Sequence, residues 1–318
     1  MGNQTSRQLA DGHSNTSQYD TMNRLQRLSY FDGTSVVYAY TTTGQPQTVA
    51  DSRGTTTYTY DNQDRVTKIA VPDGQSIIYG YDPAGNRTAM ATAVGTVSAS
   101  NTIYAYDQDN RLASVIASGI GTIGFAYDNA GNQMQRTLPN GITIGYGYDT
   151  LNRLTGVTEQ RGTTTLASYA YTLDPAGNRT KVVEADGSAT IWSYNDNAQL
   201  LGEARFDPSG TETAQTSYAY DAVGNRLSQS SGGQTTNYSY NTLDQLTSTS
   251  GAQTAQFAYD GRGNLLTATA GTSSTSYTYN AADRLTSATP SSGASSTYGY
   301  DAAGRQISQT SEPVEKWR

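Results

Sequence analysis

The sequence predicts an all-β protein in which antiparallel β-hairpin repeats join into one continuous, spiralling or barrel-like sheet. Three observations carry that expectation. A phrase of an aromatic residue, a spacer and a Tyr, usually followed by Asp, recurs along the chain, as in Tyr58-Thr59-Tyr60-Asp61 and Tyr79-Gly80-Tyr81-Asp82. The second Tyr of the phrase falls at Tyr19, Tyr40, Tyr60, Tyr81, Tyr106, Tyr127, Tyr148, Tyr171, Tyr194, Tyr220, Tyr240, Tyr259, Tyr279 and Tyr300, most often 20 or 21 residues apart. Turn residues follow each phrase at once, and Gly interrupts every window long enough to hold a helix.

The first strand of each repeat is written in alternation. In Thr55-Thr56-Thr57-Tyr58-Thr59-Tyr60 the aromatics alternate with Thr at period two. That places both rings on one face of a pleated strand, where β-branched and aromatic residues fit best. The turn comes next. Asp82-Pro83-Ala84-Gly85 has the type I preferences, and a left-handed fourth residue completes the three-residue hairpin loop with its bulge. Asp128 with Gly131, Asp221 with Gly224, Asp260 with Gly263 and Asp301 with Gly304 repeat the pattern, and Asp174 with Gly177 repeats it after a one-residue slip.

Lined up, the fourth turn positions read Asn23, Gly44, Asp64, Gly85, Asn110, Gly131, Asn152, Gly177, Ala198, Gly224, Asp244, Gly263, Asp283 and Gly304. Gly occupies every second repeat. Asn and Asp are the other residues that best tolerate positive φ, so both classes build one turn, and Ala198 is expected to strain it or to force a different loop. The structural unit is therefore expected to be a pair of repeats. A second strand such as Arg65-Val66-Thr67-Lys68-Ile69 follows each turn, and then a Gly- or Ser-rich return such as Asp73-Gly74-Gln75. Two strands per repeat give about 28 strands, which at about 4.8 Å spacing make a ribbon on the order of 130 Å wide that must twist and coil.

Composition bounds the core. Leu, Ile, Val and Phe number 45 of 318 residues, whereas the chain has 25 Tyr and a net charge of only −7. Tyrosine supplies the missing area, because each ring buries roughly 150–250 Å² while its hydroxyl stays wet or hydrogen-bonded. The expected organisation is a polar, flexible segment over 1–16, one body of fourteen repeats over 17–307 and a short tail over 308–318. The tyrosine pairs, such as Tyr58 with Tyr60, Tyr104 with Tyr106 and Tyr277 with Tyr279, are expected to hold successive hairpins together. Unpaired edge strands are expected to favour edge-to-edge self-association.

The inventory argues against catalysis and cofactors. His13 is the one histidine, cysteine is absent, and no Gly-rich phosphate loop follows a strand and opens a helix. Asp61/Asp64 and Asp107/Asp109/Asn110 offer too few oxygens for calcium and read as turn caps, so no metal is expected. A sequence pI near 4.7 leaves no basic footprint for nucleic acid, and no long apolar run could span a membrane. Tyrosine ladders flanked by Asn, Gln and Thr give carbohydrate binding or surface adhesion as the rival reading.

The stretches Tyr81-Asp82-Pro83-Ala84-Gly85-Asn86-Arg87, Tyr220-Asp221-Ala222-Val223-Gly224-Asn225-Arg226 and Tyr300-Asp301-Ala302-Ala303-Gly304-Arg305 closely resemble the RHS or YD-repeat family. That family comprises bacterial polymorphic toxin shells, the C components of insecticidal toxin complexes and the animal teneurins. The resemblance covers nine tenths of the chain and implies a spiral β-sheet, a partial hollow shell, that encloses, presents or chaperones a polypeptide such as a secreted toxin. It also implies a bacterial secreted or cell-surface location. The paired Asp-Pro-x-Gly-Leu cap of the family is not matched, and Asp207-Pro208-Ser209-Gly210 reads as an ordinary turn, so the chain is expected to be a piece of a shell or a shortened homologue.

Overall fold

The computed structural model describes residues 3–9, 11–95, 97–301 and 304–312. Among them it is all-β. Twenty-nine strands belong to one sheet, and strands adjacent in sequence pair antiparallel. Gly54–Tyr60 pairs with Val66–Ala70, for example, with Tyr58 opposite Ile69 and Tyr60 opposite Val66. The chain divides into two compact units, where the repeat pattern alone predicts one body. The first comprises Met1–Ile78, Thr92–Val97 and Tyr238–Arg318, and the second Tyr79–Ala91 and Ser98–Asn237.

Both ends differ from expectation. The polar segment over 1–16 contains the strand Ser6–Gln8 and the start of Ser14–Tyr19, paired with Ser6 opposite Thr16. Its polarity is no obstacle, because a hairpin whose strands alternate Ser, Thr, Asn and Gln needs only main-chain partners. The strand Gln306–Glu312 carries regular structure past residue 307, and residues 313–318 lie outside the described residues.

The hairpin turn is uniform. The Asp61 N–H donates to the Arg65 carbonyl at 3.0 Å and the Asp64 N–H to the Asp61 carbonyl at 3.1 Å, and the same pair of bonds recurs at Asp82, Asp128, Asp221, Asp260 and Asp301. At Tyr60 the register shifts, from Thr59 opposite Lys68 to Tyr60 opposite Val66, so Thr67 bulges from the second strand, and the same shift recurs at Tyr19, Tyr40, Tyr106, Tyr127, Tyr148, Tyr194, Tyr220, Tyr259, Tyr279 and Tyr300. Among the described residues, the seven non-glycine residues with positive φ, Asn23, Asp64, Asn110, Asn152, Ala198, Asp244 and Asp283, occupy the fourth turn position, at 57–61°. Ala198 keeps the common loop, at φ 58° with its N–H 2.9 Å from the Asn195 carbonyl. Alanine has no side-chain acceptor to relieve the left-handed conformation, which costs roughly 1–2 kcal/mol, and the hydrogen bonds of the loop hold it there.

The tyrosines lie on the better-covered face. Along Gly54–Tyr60, Thr55, Thr57 and Thr59 are exposed, while Thr56 is buried and Tyr58 and Tyr60 are half-buried. Gln234–Tyr240 repeats this, with Thr236 buried. The core is thin: Val36, Val49, Ile144, Val182 and Ala281 are its buried apolar residues, and no described side chain is below 2% exposure. A sheet with one covered face and so few aliphatics gains its burial from rings spread along it, not from a compact centre.

Candidate functional site: the tyrosine face and its row of turns

The twelve predicted tyrosines Tyr60, Tyr81, Tyr106, Tyr127, Tyr148, Tyr171, Tyr194, Tyr220, Tyr240, Tyr259, Tyr279 and Tyr300 are all half-buried. Their hydroxyls have a job that the sequence did not announce. The Tyr40 hydroxyl donates to the Leu25 carbonyl at 2.6 Å, Tyr60 to Pro46 at 2.6 Å, Tyr127 to Leu112 at 2.9 Å and Tyr148 to Gln133 at 3.0 Å. Tyr106, Tyr194 and Tyr259 reach Arg87, Arg179 and Leu246 in the same way. Each acceptor is the carbonyl two residues past the left-handed position of the preceding turn, so the hydroxyl stitches one repeat to the next where the bulge leaves a carbonyl free. Burial pushes the hydroxyls of Tyr40, Tyr60, Tyr148, Tyr194 and Tyr279 above their usual range of ionisation.

Tyr171 departs from its assigned place. Its strand, Thr164–Leu173, shifts register between Thr172 and Leu173, and Leu173 pairs with Arg179 as Tyr127 does with Gln133. Leu173 therefore holds the second position, the slip is of two residues, and Tyr171 stands where Phe125 and Tyr146 stand in neighbouring repeats. The Arg179 guanidinium lies 3.9 Å over its ring.

The turn carboxylates are caps. Asp107 Oδ1 accepts the N–H groups of Asp109 (3.0 Å) and Arg111 (2.9 Å), and Oδ2 accepts Arg111 Nε at 2.8 Å. Asp61 is used identically by Gln63 and Arg65, so Asp61 and Asp107 spend their oxygens on their own loops, while Asp64 and Asn110 of the same candidates accept from neighbouring turns. In Asp82, Asp128, Asp174 and Asp260 an Asn amide replaces the guanidinium, from Asn86, Asn132, Asn178 and Asn264. Asp221 takes an Asn225 amide, and buried Asp301 an Arg305 guanidinium. Six of these carboxyls are held below 3.8 by such donors: the Arg24, Arg111 and Arg153 N–H groups lead for Asp20, Asp107 and Asp149, and the Asn86, Asn132 and Asn178 amides for Asp82, Asp128 and Asp174.

A lowered folded value makes the turns stabilising above the unfolded value of 3.8, and that stability is lost as pH falls through the lowered folded values. The urea midpoint is accordingly expected to hold near neutrality and to drop over the interval below pH 3.8. A midpoint flat over that interval would show that the carboxylates are not folded-state partners.

The alternation of Gly with Asn or Asp now has a cause. Where the left-handed residue is Asn or Asp, the residue after it is Arg or Gln, long enough to reach the next turn. Arg111 Nη1 donates to the Asp128 carbonyl and Arg153 Nη1 to that of Asp174, both at 3.0 Å. A Cβ at the next left-handed position would crowd the Gln side chains, lying 3.1 Å from Gln245 Nε2 at Gly263 and 3.3 Å from Gln199 Nε2 at Gly224, whereas after Arg111 it would meet nothing within 4 Å at Gly131. Where that residue is Gly, a short Asn follows in five of the seven turns, the exceptions being Gln45 and Arg305, and an Asn there can take an acceptor on the next turn. Asn86 Nδ2 finds Asn110 Oδ1 (2.8 Å), Asn132 finds Asn152 (2.8 Å) and Asn264 finds Asp283 (2.9 Å). After Gly44 the follower is Gln45, and Thr43 Oγ1 supplies the bond to Asp64 instead, at 2.8 Å.

A similar matching acts within each turn. When Asn replaces the first Asp, its amide turns toward the fifth residue, which becomes Gln: Asn195 and Asn241 each donate to a Gln side-chain carbonyl at 2.7 Å. Asn280 breaks the match. Its Oδ1 accepts the N–H groups of Ala282 and Arg284, which leaves Nδ2 facing a guanidinium, and Arg284 Nε is buried without a partner. Asn280→Asp should therefore raise stability by about 1–2 kcal/mol through a charge-assisted bond, measured as the urea midpoint. An unchanged or lowered midpoint would contradict the matching rule.

The comparisons with known proteins agree with the repeat chemistry. The teneurin YD-shell family model matches residues 1–142 and 192–314, and the chain belongs to this family. An RHS repeat model matches residues 127–164 and 148–189. No curated protein matches the chain. Among solved structures it is similar to the crystal structure of TcdB2-TccC3-Cdc42, at 14% identity over 98% of this chain and 22% of that one, with a TM-score of 0.44. It is also similar to the Photorhabdus luminescens Tc holotoxin pore carrying the TccC3 D651A mutation, at 15% identity, 96% and 22% coverage and a TM-score of 0.43. The chain thus spans about a fifth of the length of those structures. No helix among the described residues is long and apolar enough to cross a membrane.

Proposed function

We propose that the chain is a non-catalytic wall segment of a secreted or surface-exposed bacterial YD shell, and that its tyrosine face holds a polypeptide in a non-native state. The observation that carries this reading is the one-sidedness of the sheet: the rings share one half-buried face, while the opposite face is exposed and mostly Thr, Ser and Ala, with scattered aliphatics such as Ile103 and Ile191. Spaced rings beside polar hydroxyls suit an extended chain of mixed composition better than one folded partner, because each ring offers apolar contact without demanding a particular side chain. Family membership supports the same role. Rings whose hydroxyls are bound to main-chain carbonyls are poor open platforms for sugars, so the adhesion reading gains no support.

Photo-crosslinking tests it. A photoreactive phenylalanine in place of Tyr58 is expected to capture a permanently unfolded, alkylated polypeptide, whereas the same group in place of Thr57, on the other face, is not. Equal capture from both faces, or none from either, would overturn the reading.

A further inference from the structure

Arg262 breaks the pattern of its turn. The third residue of this loop normally points to solvent: Met22, Leu151, Val223 and Leu243 are 69%, 68%, 73% and 75% exposed. The Arg262 side chain is only 12% exposed, and it is covered by residues from the other end of the chain within the same compact unit. Its Nε lies 3.3 Å from Asp11 Oδ2, its Nη1 3.2 Å from Asp283 Oδ1, and its guanidinium 5.3 Å from the Phe31 ring centroid. His13 stacks on Phe31 at 4.2 Å and places Nδ1 3.2 Å from Asp11 Oδ1, so the loop that carries Asp11 is braced on both sides. The preceding residue is Gly261, and a Cβ there would sit 3.6 Å from Asp11 Cα, in the close approach of two loops about 250 residues apart in sequence.

We propose that the Asp260–Gly263 turn is an intrachain docking site for the loop between Ser6–Gln8 and Ser14–Tyr19, with Arg262 as its latch. Nothing in the repeat rule requires this. The hydrogen bonds between successive repeats join residues 13–24 apart, and a turn needs neither Gly at its second position nor a buried cation at its third. Two carboxylates from opposite ends of the sequence sharing one guanidinium is the chemistry of a seam that closes when both ends are in place. Asp260 Oδ2 lies 3.9 Å from the same Nε, so removing the cation leaves the carboxylates of Asp11, Asp260 and Asp283 without the guanidinium they share, which weakens the seam. The inference is independent of what the tyrosine face holds.

Two measurements on the full chain test it. The chain has no cysteine, and the 3.7 Å separation of a Gly261 Cβ from Asp11 Cβ matches the Cβ–Cβ distance of a disulfide, about 3.8 Å. The double variant Asp11→Cys with Gly261→Cys should therefore oxidise to a monomer with altered mobility on a non-reducing gel. A reduced monomer or a disulfide-linked dimer would overturn the docking. In native-state hydrogen exchange, Arg262→Ala should speed exchange across residues 14–19 by about tenfold or more while leaving residues 142–148 unchanged. Asp11→Asn should act in the same direction by removing the partner charge. Unchanged exchange in both variants would overturn the role of Arg262.

Discussion

Deleting residues 128–148, one repeat, is expected to destabilise the protein more than deleting residues 107–148, two repeats, although the second removes twice the sequence. Both deletions leave a Tyr-Asp junction and a complete turn. The single deletion brings Asn152 beside Arg111, at the position where Gly131 stood, and leaves two Arg turns in succession. The acceptor on Asn152 then loses the Asn132 amide that it holds at 2.8 Å, and the preceding turn offers a guanidinium in place of that amide. The double deletion puts Asn86 before Asn152, the same pairing that Asn86 makes with Asn110. The lost hydrogen bond and the acceptor it leaves unpaired together amount to about 1–3 kcal/mol, more than a single added repeat interface need contribute. Urea denaturation of both variants checks this, and a decline proportional to the number of residues removed would contradict it.

The second large effect is expected at Tyr148. It combines a half-buried ring with a hydroxyl donating to the Gln133 carbonyl at 3.0 Å. Tyr148→Ala should cost about 3 kcal/mol, the lower end of the range for a large aromatic because the ring is not fully enclosed. Tyr148→Phe removes only the bond and should cost about 1 kcal/mol. Equal midpoints for the wild type and the Ala variant would mean that the tyrosine face is a ligand platform and not the cement between repeats.

Much of this was legible in the sequence because the repeat is local. Strand, turn and bulge are each written within about ten residues, and the left-handed position is marked by the residues that tolerate it, at Asn23 and Gly85 as at Asp283. Period two placed Tyr58 and Tyr60 on one face, but periodicity cannot say which face is covered, since Thr56 and Thr57 are chemically alike and only one is buried. The alternation of Gly with Asn and Asp was visible, and its cause was too: Arg, Gln or Asn follows in phase at positions 111, 132, 153, 178, 199 and 225. What connects that phase to a contact is reach across to the next turn, which sequence spacing does not express. Leu173 was missed because the strand runs two residues past Tyr171 and Leu takes the position that Tyr marks elsewhere, while the tyrosine signature stays at Tyr171. The Arg262 latch lay beyond reading, because its partners Asp11 and Phe31 are ordinary residues until the two ends of the chain meet.

The claim on which the account rests is that successive repeats are coupled through the row of turns. A double-mutant cycle on Asn132→Ala and Asn152→Gly measures that coupling directly, since Gly keeps the left-handed backbone while removing the acceptor. The account predicts a coupling of about 1 kcal/mol, with the Asn132 substitution costing stability only when Asn152 is present. Additive effects, with no coupling between the two positions, would contradict it.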